Sequence, residues 1–386
     1  MGRKKRVGVI AGIISALALV LVGTAIFWNL RGNVKWDTRV RISEEQTEYQ
    51  NYWVCEGVLM KAEEGYYVAQ RHGAEAMHIF YIPKDLSSCE INCTKANCKH
   101  EDDSCLATFN DHTVGKFQYN NGYLFYTKED EKGDIILYRC KVDGSKRTQM
   151  LKVADHNQIR SVDVNIHKNH VFVMESWLDG SSRVMDYDMT KVGKTGYETE
   201  ITKNTECFQI KIEDIKDDFL IYSVVSKEKD KTTITGYNYT KDETETIREI
   251  DGISGFIRLA GESIVYTSKE GNRLFPISNP SSEKMLNESP SNQLAVDQQY
   301  IYIDNTPCFR KGAESEEHVV SMYTLQGEFV GSILMPINEE QPMLVCYFGD
   351  TNVMFAADFS EKQLYTYEKK KINAADGKWN ALKYKH

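Results

Sequence analysis

A short pattern of aromatic and β-branched residues recurs along most of the chain and constrains its fold more than any other feature. Each copy opens on a turn residue and continues into a strand-like run, as in Gly65-Tyr66-Tyr67-Val68. The seven copies begin at Gly65, Gly122, Asn169, Asp218, Glu262, Gln299 and Asn352, between 37 and 57 residues apart. A polar hairpin and a second strand with Tyr or Phe follow each run, as at Ile136-Leu137-Tyr138. Each repeat is therefore predicted to be a multistranded β unit.

This repeat length favours one architecture over two others. A period of about 40–50 residues with several strands per unit is typical of propeller blades. A pair of β-sandwiches would not repeat the same two-strand motif, and the rungs of a β-solenoid are shorter. We expect an all-β fold, a β-propeller of seven blades, each a four-stranded antiparallel sheet. The irregular later spacings leave six or eight blades open.

The N-terminal segment is predicted to be a membrane anchor. Residues 7–28 contain no charged side chain over 22 positions, and a helix of that length spans roughly 33 Å, close to a bilayer core. The basic residues at 3–6 predict a cytoplasmic N-terminus. We expect a cytoplasmic tail at 1–6, a transmembrane anchor at 7–28, a linker at 29–50 and an extracytoplasmic propeller at 51–386. The chain would then be a single-pass protein of the cell membrane with an extracellular C-terminal domain.

A cleaved signal peptide is the alternative for this segment. Gly23-Thr24-Ala25 offers small residues at a suitable spacing for cleavage. The apolar run is longer than the usual stretch of about 7–15 residues, and apolar Ile26-Phe27-Trp28 follow the candidate site. Whether the segment is cleaved stays open, and the length favours an anchor.

The charge is distributed unevenly between this segment and the rest. The whole chain has a net charge of −9, but the charged residues of the first thirty are all basic, so residues 31–386 carry −13. An acidic domain argues against a nucleic-acid partner, which a basic face would recognise. The 41% hydrophobic and 11% aromatic content excludes a wholly disordered chain.

Four cysteines and a histidine form a cluster in the predicted insert at residues 86–108, between the first two blades. The pattern is C-x3-C-x4-C-x-H-x4-C, from Cys89, Cys93, Cys98, His100 and Cys105. Outside the cytoplasm such cysteines typically form two disulfides, and we favour pairing among the four. The alternative is a tetrahedral zinc site at Cys93, Cys98, His100 and Cys105, which leaves Cys89 over. Free or redox-active thiols are the third interpretation.

Together, the strand motif and this cluster resemble a known group of proteins. The motif continues as Tyr138, Arg139, Asp143 and Gly144, and the insert matches Cys93, Cys98, His100, Cys105 and Ala107. The chain resembles the membrane-anchored TolB-like β-propeller surface proteins of anaerobic Gram-positive bacteria, over roughly residues 50–386. The resemblance implies a surface-exposed interaction domain and no known reaction. An anaerobic habitat would favour the metal over the disulfides.

No catalytic signature accompanies these features. The chain has no G-x-S-x-G elbow, H-E-x-x-H helix, phosphate loop or G-x-G-x-x-G, so no catalytic or cofactor-binding residue is predicted beyond the zinc alternative. We expect a binding or protein-interaction module at the cell envelope, whose ligand is an envelope protein, a peptide or a glycan. The alternative is an envelope hydrolase or lyase with its site in the propeller channel. Convergent His and carboxylates in that channel would favour the enzyme.

Overall fold

Strands make up almost all of the regular structure. The computed structural model describes residues 57–72, 76–102, 104–110, 114–155, 159–192, 194–204, 209–226, 230–252, 255–291, 293–304, 319–335, 344–348, 352–358, 363–374 and 376–385. Within these ranges the helical segments are two 3-10 turns, Met189–Lys191 and Lys369–Lys371. No helix in the described part has the length and apolarity to span a bilayer. The predicted tail, anchor and linker at 1–50 lie outside the described residues.

The strands form five separate four-stranded sheets and one larger sheet. The first group is β1 (Gly57–Lys61), β2 (Gly65–His72), β3 (Ala76–Pro83), β4 (Cys89–Ile91) and β5 (Thr108–Asn110). The next two sheets are β6 (Phe117–Asn120), β7 (Tyr123–Glu129), β8 (Ile135–Lys141) and β9 (Thr148–Ala154), then β10 (Ile159–His167), β11 (His170–Trp177), β12 (Ser182–Asp188) and β13 (Glu198–Asn204).

The remaining strands continue the same up-and-down order. The fourth group is β14 (Gln209–Lys216), β15 (Phe219–Ser226), β16 (Lys231–Asn238) and β17 (Glu243–Asp251), and the fifth is β18 (Ile257–Ala260), β19 (Ser263–Ser268), β20 (Gly271–Pro276) and β21 (Lys284–Asn287). The sixth group is β22 (Gln293–Val296), β23 (Tyr300–Asp304), β24 (Val319–Thr324) and β25 (Phe329–Leu334). The last group is β26 (Leu344–Phe348), β27 (Val353–Asp358), β28 (Gln363–Glu368) and β29 (Asn380–Lys385). The five separate sheets are β6–β9, β10–β13, β14–β17, β18–β21 and β22–β25.

The recurring sequence motif corresponds to one position in every group. Its seven copies lead into or form β2, β7, β11, β15, β19, β23 and β27, the second strand each time. The Tyr- or Phe-bearing strands that follow, such as β8 and β12, are the third. The predicted repeat of antiparallel β units is therefore confirmed.

These middle strands are apolar because they are covered on both faces. In β11 the six central residues are all buried. Val171 and Val173 pack in a cluster with Phe125 of the preceding sheet, whereas Phe172 packs in a cluster with Leu220 of the following sheet. Successive side chains of a strand point to opposite faces, so one strand serves two inter-sheet cores.

The first and last groups of strands meet and join the two ends of the described domain. Phe355 in β27 packs with Leu59 and Tyr66 of the first group, and the Tyr66 and Phe355 ring centroids are 4.8 Å apart. Strand β29 also pairs in parallel with β4, placing Tyr384 opposite Cys89. The larger sheet thus combines β1–β5 with β26–β29.

Candidate functional site

A cavity of about 550 Å³ lies beside the first strands of four sheets, β6, β10, β14 and β18. First strands of neighbouring sheets contact one another, as β6 does with β10 and β14 with β18. The charged lining residues are Lys116, Asp163, Lys211, Glu213 and Arg258. A volume of this size falls within the range of small-molecule and peptide sites, roughly 300–1,000 Å³.

One cluster of polar side chains in the cavity joins β10 to β6 and to the residue before it. Lys116 Nζ lies 3.5 Å from Asp163 Oδ1 and 3.1 Å from Asn165 Oδ1. Asn165 Nδ2 donates to Asp163 Oδ2 at 3.0 Å. Buried Gln118 donates to Val164 O and fixes this edge. The Asp163 carboxylate is thus compensated by a cation and an amide of the protein itself.

A second cluster of polar side chains surrounds Glu213 in β14. Its side chain is buried, Ser223 Oγ donates to Oε1 at 2.6 Å, and Arg258 Nη1 lies 3.5 Å from Oε2. Burial raises the pKa of the Glu213 carboxyl, although Arg258 and Ser223 oppose the effect. Arg258 Nη1 also donates to the carbonyl of Ile257 at 2.7 Å. Both carboxylates of the cavity are therefore held in place by the protein, which gives a preformed polar surface.

Two histidines outside the Cys-His cluster have structural partners away from the cavity. His167 Nε2 is 2.8 Å from the carbonyl oxygen of Asp217, and burial lowers the pKa of His167 to about 4. His170 Nδ1 is 2.7 Å from Asp186 Oδ1. Neither histidine is among the described residues that line the cavity.

The four residues of the zinc alternative gather into a small volume in the structure. One ligand atom from each of Cys93, Cys98, His100 and Cys105 lies within 4.8 Å of every other. His100 Nδ1 is 3.2 Å from Cys105 Sγ. Cys93 follows β4 by two residues and Cys105 precedes β5 by three, so the cluster joins two strands that both pair with β3.

The sulfur atoms of this region are all thiols in the structure. Cys89 is set apart, because it packs in the apolar cluster with Leu59 and Phe355, and burial raises the pKa of its thiol to about 12. Burial also raises the pKa of Cys105. Burial acts in the same direction on Cys93, but hydrogen bonds from the Lys95 backbone and from the other two thiols outweigh it and lower the pKa. The pairing into disulfides stays a prediction.

The insert is docked on the turn between β8 and β9. Arg147 Nη2 donates to the carbonyl oxygens of Leu106 and Thr108, both at 2.8 Å. Gly144 packs so closely that a Cβ there would lie 1.8 Å from Leu106 O. Asn92 Nδ2 donates to Val142 O. These contacts explain why the Asp143-Gly144 turn is needed in this copy of the motif.

Sequence reasoning found the Cys-His cluster and missed the cavity residues. The cluster lies within one short stretch, so its spacing was visible. Lys116 instead directly precedes β6, and Asp163, Glu213 and Arg258 lie in the first strands β10, β14 and β18, about one repeat apart. The available signal was a polar residue at the same place in successive repeats.

Comparison with solved structures identifies the fold as a β-propeller. The chain is similar to Kluyveromyces lactis Hsv2 (TM-score 0.50, 8% identity, 85% of this chain and 96% of that one). It is similar to AztD from Citrobacter koseri (0.50, 11%, 84% and 85%) and to a prolyl endopeptidase (0.57, 10%, 85% of this chain and 50% of that one). At these identities the similarity concerns the fold alone. No family model and no curated protein matches the chain.

Proposed function

We propose that this protein is a membrane-anchored, seven-bladed β-propeller of the TolB-like kind that binds a partner at the cell envelope. The five four-stranded sheets, with β1–β5 and β26–β29 as two further blades, support the count of seven. The anchor at 7–28 would place the propeller outside the cytoplasmic membrane. The acidic domain argues against a nucleic-acid partner.

The observation that carries the binding function is the preformed cavity. Its carboxylates, Asp163 and Glu213, are held by Lys116 and Arg258, so little rearrangement is needed when a ligand enters. Pre-organised polar groups beside apolar walls such as Phe256 fix the orientation of a ligand and limit the entropy lost on binding. A peptide segment or glycan of the envelope fits this mixture of charge and apolar surface.

An envelope hydrolase or lyase is the second candidate. The raised pKa of Glu213 is the one feature that favours it, because a general acid must hold its proton at working pH. The similarity to a prolyl endopeptidase covers half of that protein and transfers no activity to this chain.

Cross-linking in intact membranes tests the binding function. The full chain, Lys211→Ala and Lys241→Ala would be compared for envelope components captured from the native membrane. Lys211 lines the cavity, whereas Lys241 lies on an exposed turn after β16 and serves as the matched control. We expect one component to be captured by wild type and Lys241→Ala and to be reduced at least about tenfold with Lys211→Ala, which corresponds to about 1.4 kcal/mol. Equal capture by all three would contradict the proposal.

Two further measurements test the membrane anchor and the enzymatic alternative. Mass determination of the mature N-terminus distinguishes an anchor, which retains residues 7–28, from a cleaved signal peptide that ends near Ala25. A Glu213→Gln variant that abolishes turnover of an envelope polymer while leaving capture unchanged would favour the enzyme instead.

A further inference from the structure

We propose that Cys93, Cys98, His100 and Cys105 bind one zinc ion, which clamps the insert between β4 and β5. This site is independent of the cavity and of the ligand proposed for it. Its role would be structural, since four protein side chains complete a tetrahedral shell and leave no open position for a substrate.

The distances between the donor atoms fit a single ion. With Zn–S bonds of about 2.3 Å and Zn–N bonds of about 2.0 Å, tetrahedral geometry places the ligand atoms roughly 3.5–3.8 Å apart. The observed atoms lie within 4.8 Å of one another, and the His100 Nδ1 to Cys105 Sγ distance is 3.2 Å. Closing the longest separation by at most about 1 Å would bring them to the ideal geometry.

The backbone already holds the ligands in place. Cys98 N donates to Lys95 O at 3.4 Å and Cys105 N to Asp102 O at 3.0 Å. His100 has a left-handed backbone, with φ of 59°, a conformation that is uncommon for a residue with a side chain. Thr108 Oγ1 donates to His100 O at 3.3 Å and fixes this conformation, which turns the imidazole towards Cys105.

The chemistry of the donors points to zinc. Three sulfurs and one imidazole are the donors that zinc prefers, whereas magnesium and calcium require oxygen ligands. On binding, the three thiol protons pass to solvent and the imidazole is neutral. The divalent charge offsets the repulsion that three neighbouring thiolates would otherwise suffer.

The position in the fold defines what the ion would stabilise. Strand β4 has three residues and β5 has three, so neither contributes much pairing alone. Yet β4 also pairs with the C-terminal strand β29, and the insert contacts Gly144 and Arg147 in the turn between β8 and β9. Zinc would therefore hold together three neighbouring parts of the domain.

Metal analysis of the full chain, purified in detergent without added metal and under reducing conditions, is the test. We expect one zinc per chain in wild type and at least a tenfold loss of bound zinc in Cys98→Ser and His100→Ala. His100→Cys should restore binding, since four thiolates also form a zinc site. A chelator should lower the thermal midpoint of wild type and leave that of Cys98→Ser unchanged.

Cys89→Ala is the control that separates the zinc site from the disulfides. The zinc site does not use Cys89, so this variant should retain one zinc per chain. Reduced wild type that carries no zinc, iron in place of zinc, or bound zinc that persists in Cys98→Ser would each overturn the proposal. Because the readout is metal content, these results do not depend on the envelope ligand.

Discussion

Two polar clusters hold neighbouring parts of the propeller together, and they differ in where the compensating charge comes from. The first joins the sheet β22–β25 to the last group of strands, where the Lys369 ammonium contacts the Asp297 carboxylate and both side chains are almost fully buried. Tyr302 adds a hydrogen bond to Asp297 at 2.6 Å. The second is the Cys-His cluster, whose three thiols and one imidazole gather within 4.8 Å of one another.

The source of the compensating charge determines what each cluster needs in order to be stable. A buried charge is tolerated only when a partner of opposite sign lies within contact distance. Asp297 has that partner in the chain itself, 72 residues away. Three neighbouring thiols need no such partner while they are protonated, but if they ionise they require a cation, and oxidation to a disulfide is the alternative.

Removing the Lys369 ammonium should cause the largest loss of stability. Lys369→Met leaves Asp297 buried without a counter-charge, and we expect the free energy of unfolding to fall by about 3–5 kcal/mol. Urea denaturation measures this loss. The double variant Asp297→Asn/Lys369→Met should recover a large part of it, and an equally unstable double variant would show that the ion pair is not the cause.

Lowering the pH should reduce the free energy of unfolding through a third buried group, His167. Its pKa is about 4 in the folded protein and about 6.5 when unfolded, so the unfolded chain takes up the proton first as pH falls. Stability from this group is present above pH 6.5 and declines by roughly 3 kcal/mol on lowering the pH to about 4. Denaturation midpoints across that window should change less in His167→Gln than in wild type. Parallel profiles for the two proteins would refute this assignment.

A Cβ at Gly144 should disturb the docking of the insert. Gly144 and Gly122 have nearly the same backbone, with φ of 76° and 77°, but a Cβ meets Leu106 at Gly144 and nothing within 4 Å at Gly122. We expect Gly144→Ala to be less stable than the control Gly122→Ala by about 1–3 kcal/mol. Thermal unfolding of both variants gives the comparison. Equal losses would mean that the insert is not docked on this turn.

The exposed ion pair at the end of β29 should matter least. Lys385 Nζ is 3.3 Å from Glu90 Oε1, and both side chains are more than half exposed. Solvent screens such pairs, so Lys385→Ala should cost at most about 1 kcal/mol, far less than Lys369→Met. A loss similar to that of Lys369→Met would contradict the distinction between buried and exposed pairs.

The sequence predicted the parts of the fold that repeat locally. The second and third strands carry dense aromatic and β-branched residues because both of their faces are covered, so β11 and β12 were visible as a motif. First strands such as β6 and outer strands such as β17 contain polar residues that face the cavity or solvent, and their pattern was not recognised.

Distance along the sequence also determines which of the sites could be predicted. Four ligands within thirteen residues, from Cys93 to Cys105, could be found by spacing alone. The pairs Asp297–Lys369 and Glu213–Arg258 join residues 72 and 45 positions apart, and only the arrangement of the sheets brings them into contact.

X-ray absorption at the zinc edge of the purified full chain tests most directly whether the thiol cluster takes its compensating charge from a metal. We predict a first shell of three sulfurs at about 2.3 Å and one nitrogen at about 2.0 Å. In Cys98→Ser this shell should be replaced by a different set of ligands, or the zinc signal should be absent. A shell of oxygen and nitrogen atoms only, or the absence of zinc beside oxidised cysteines, would contradict it.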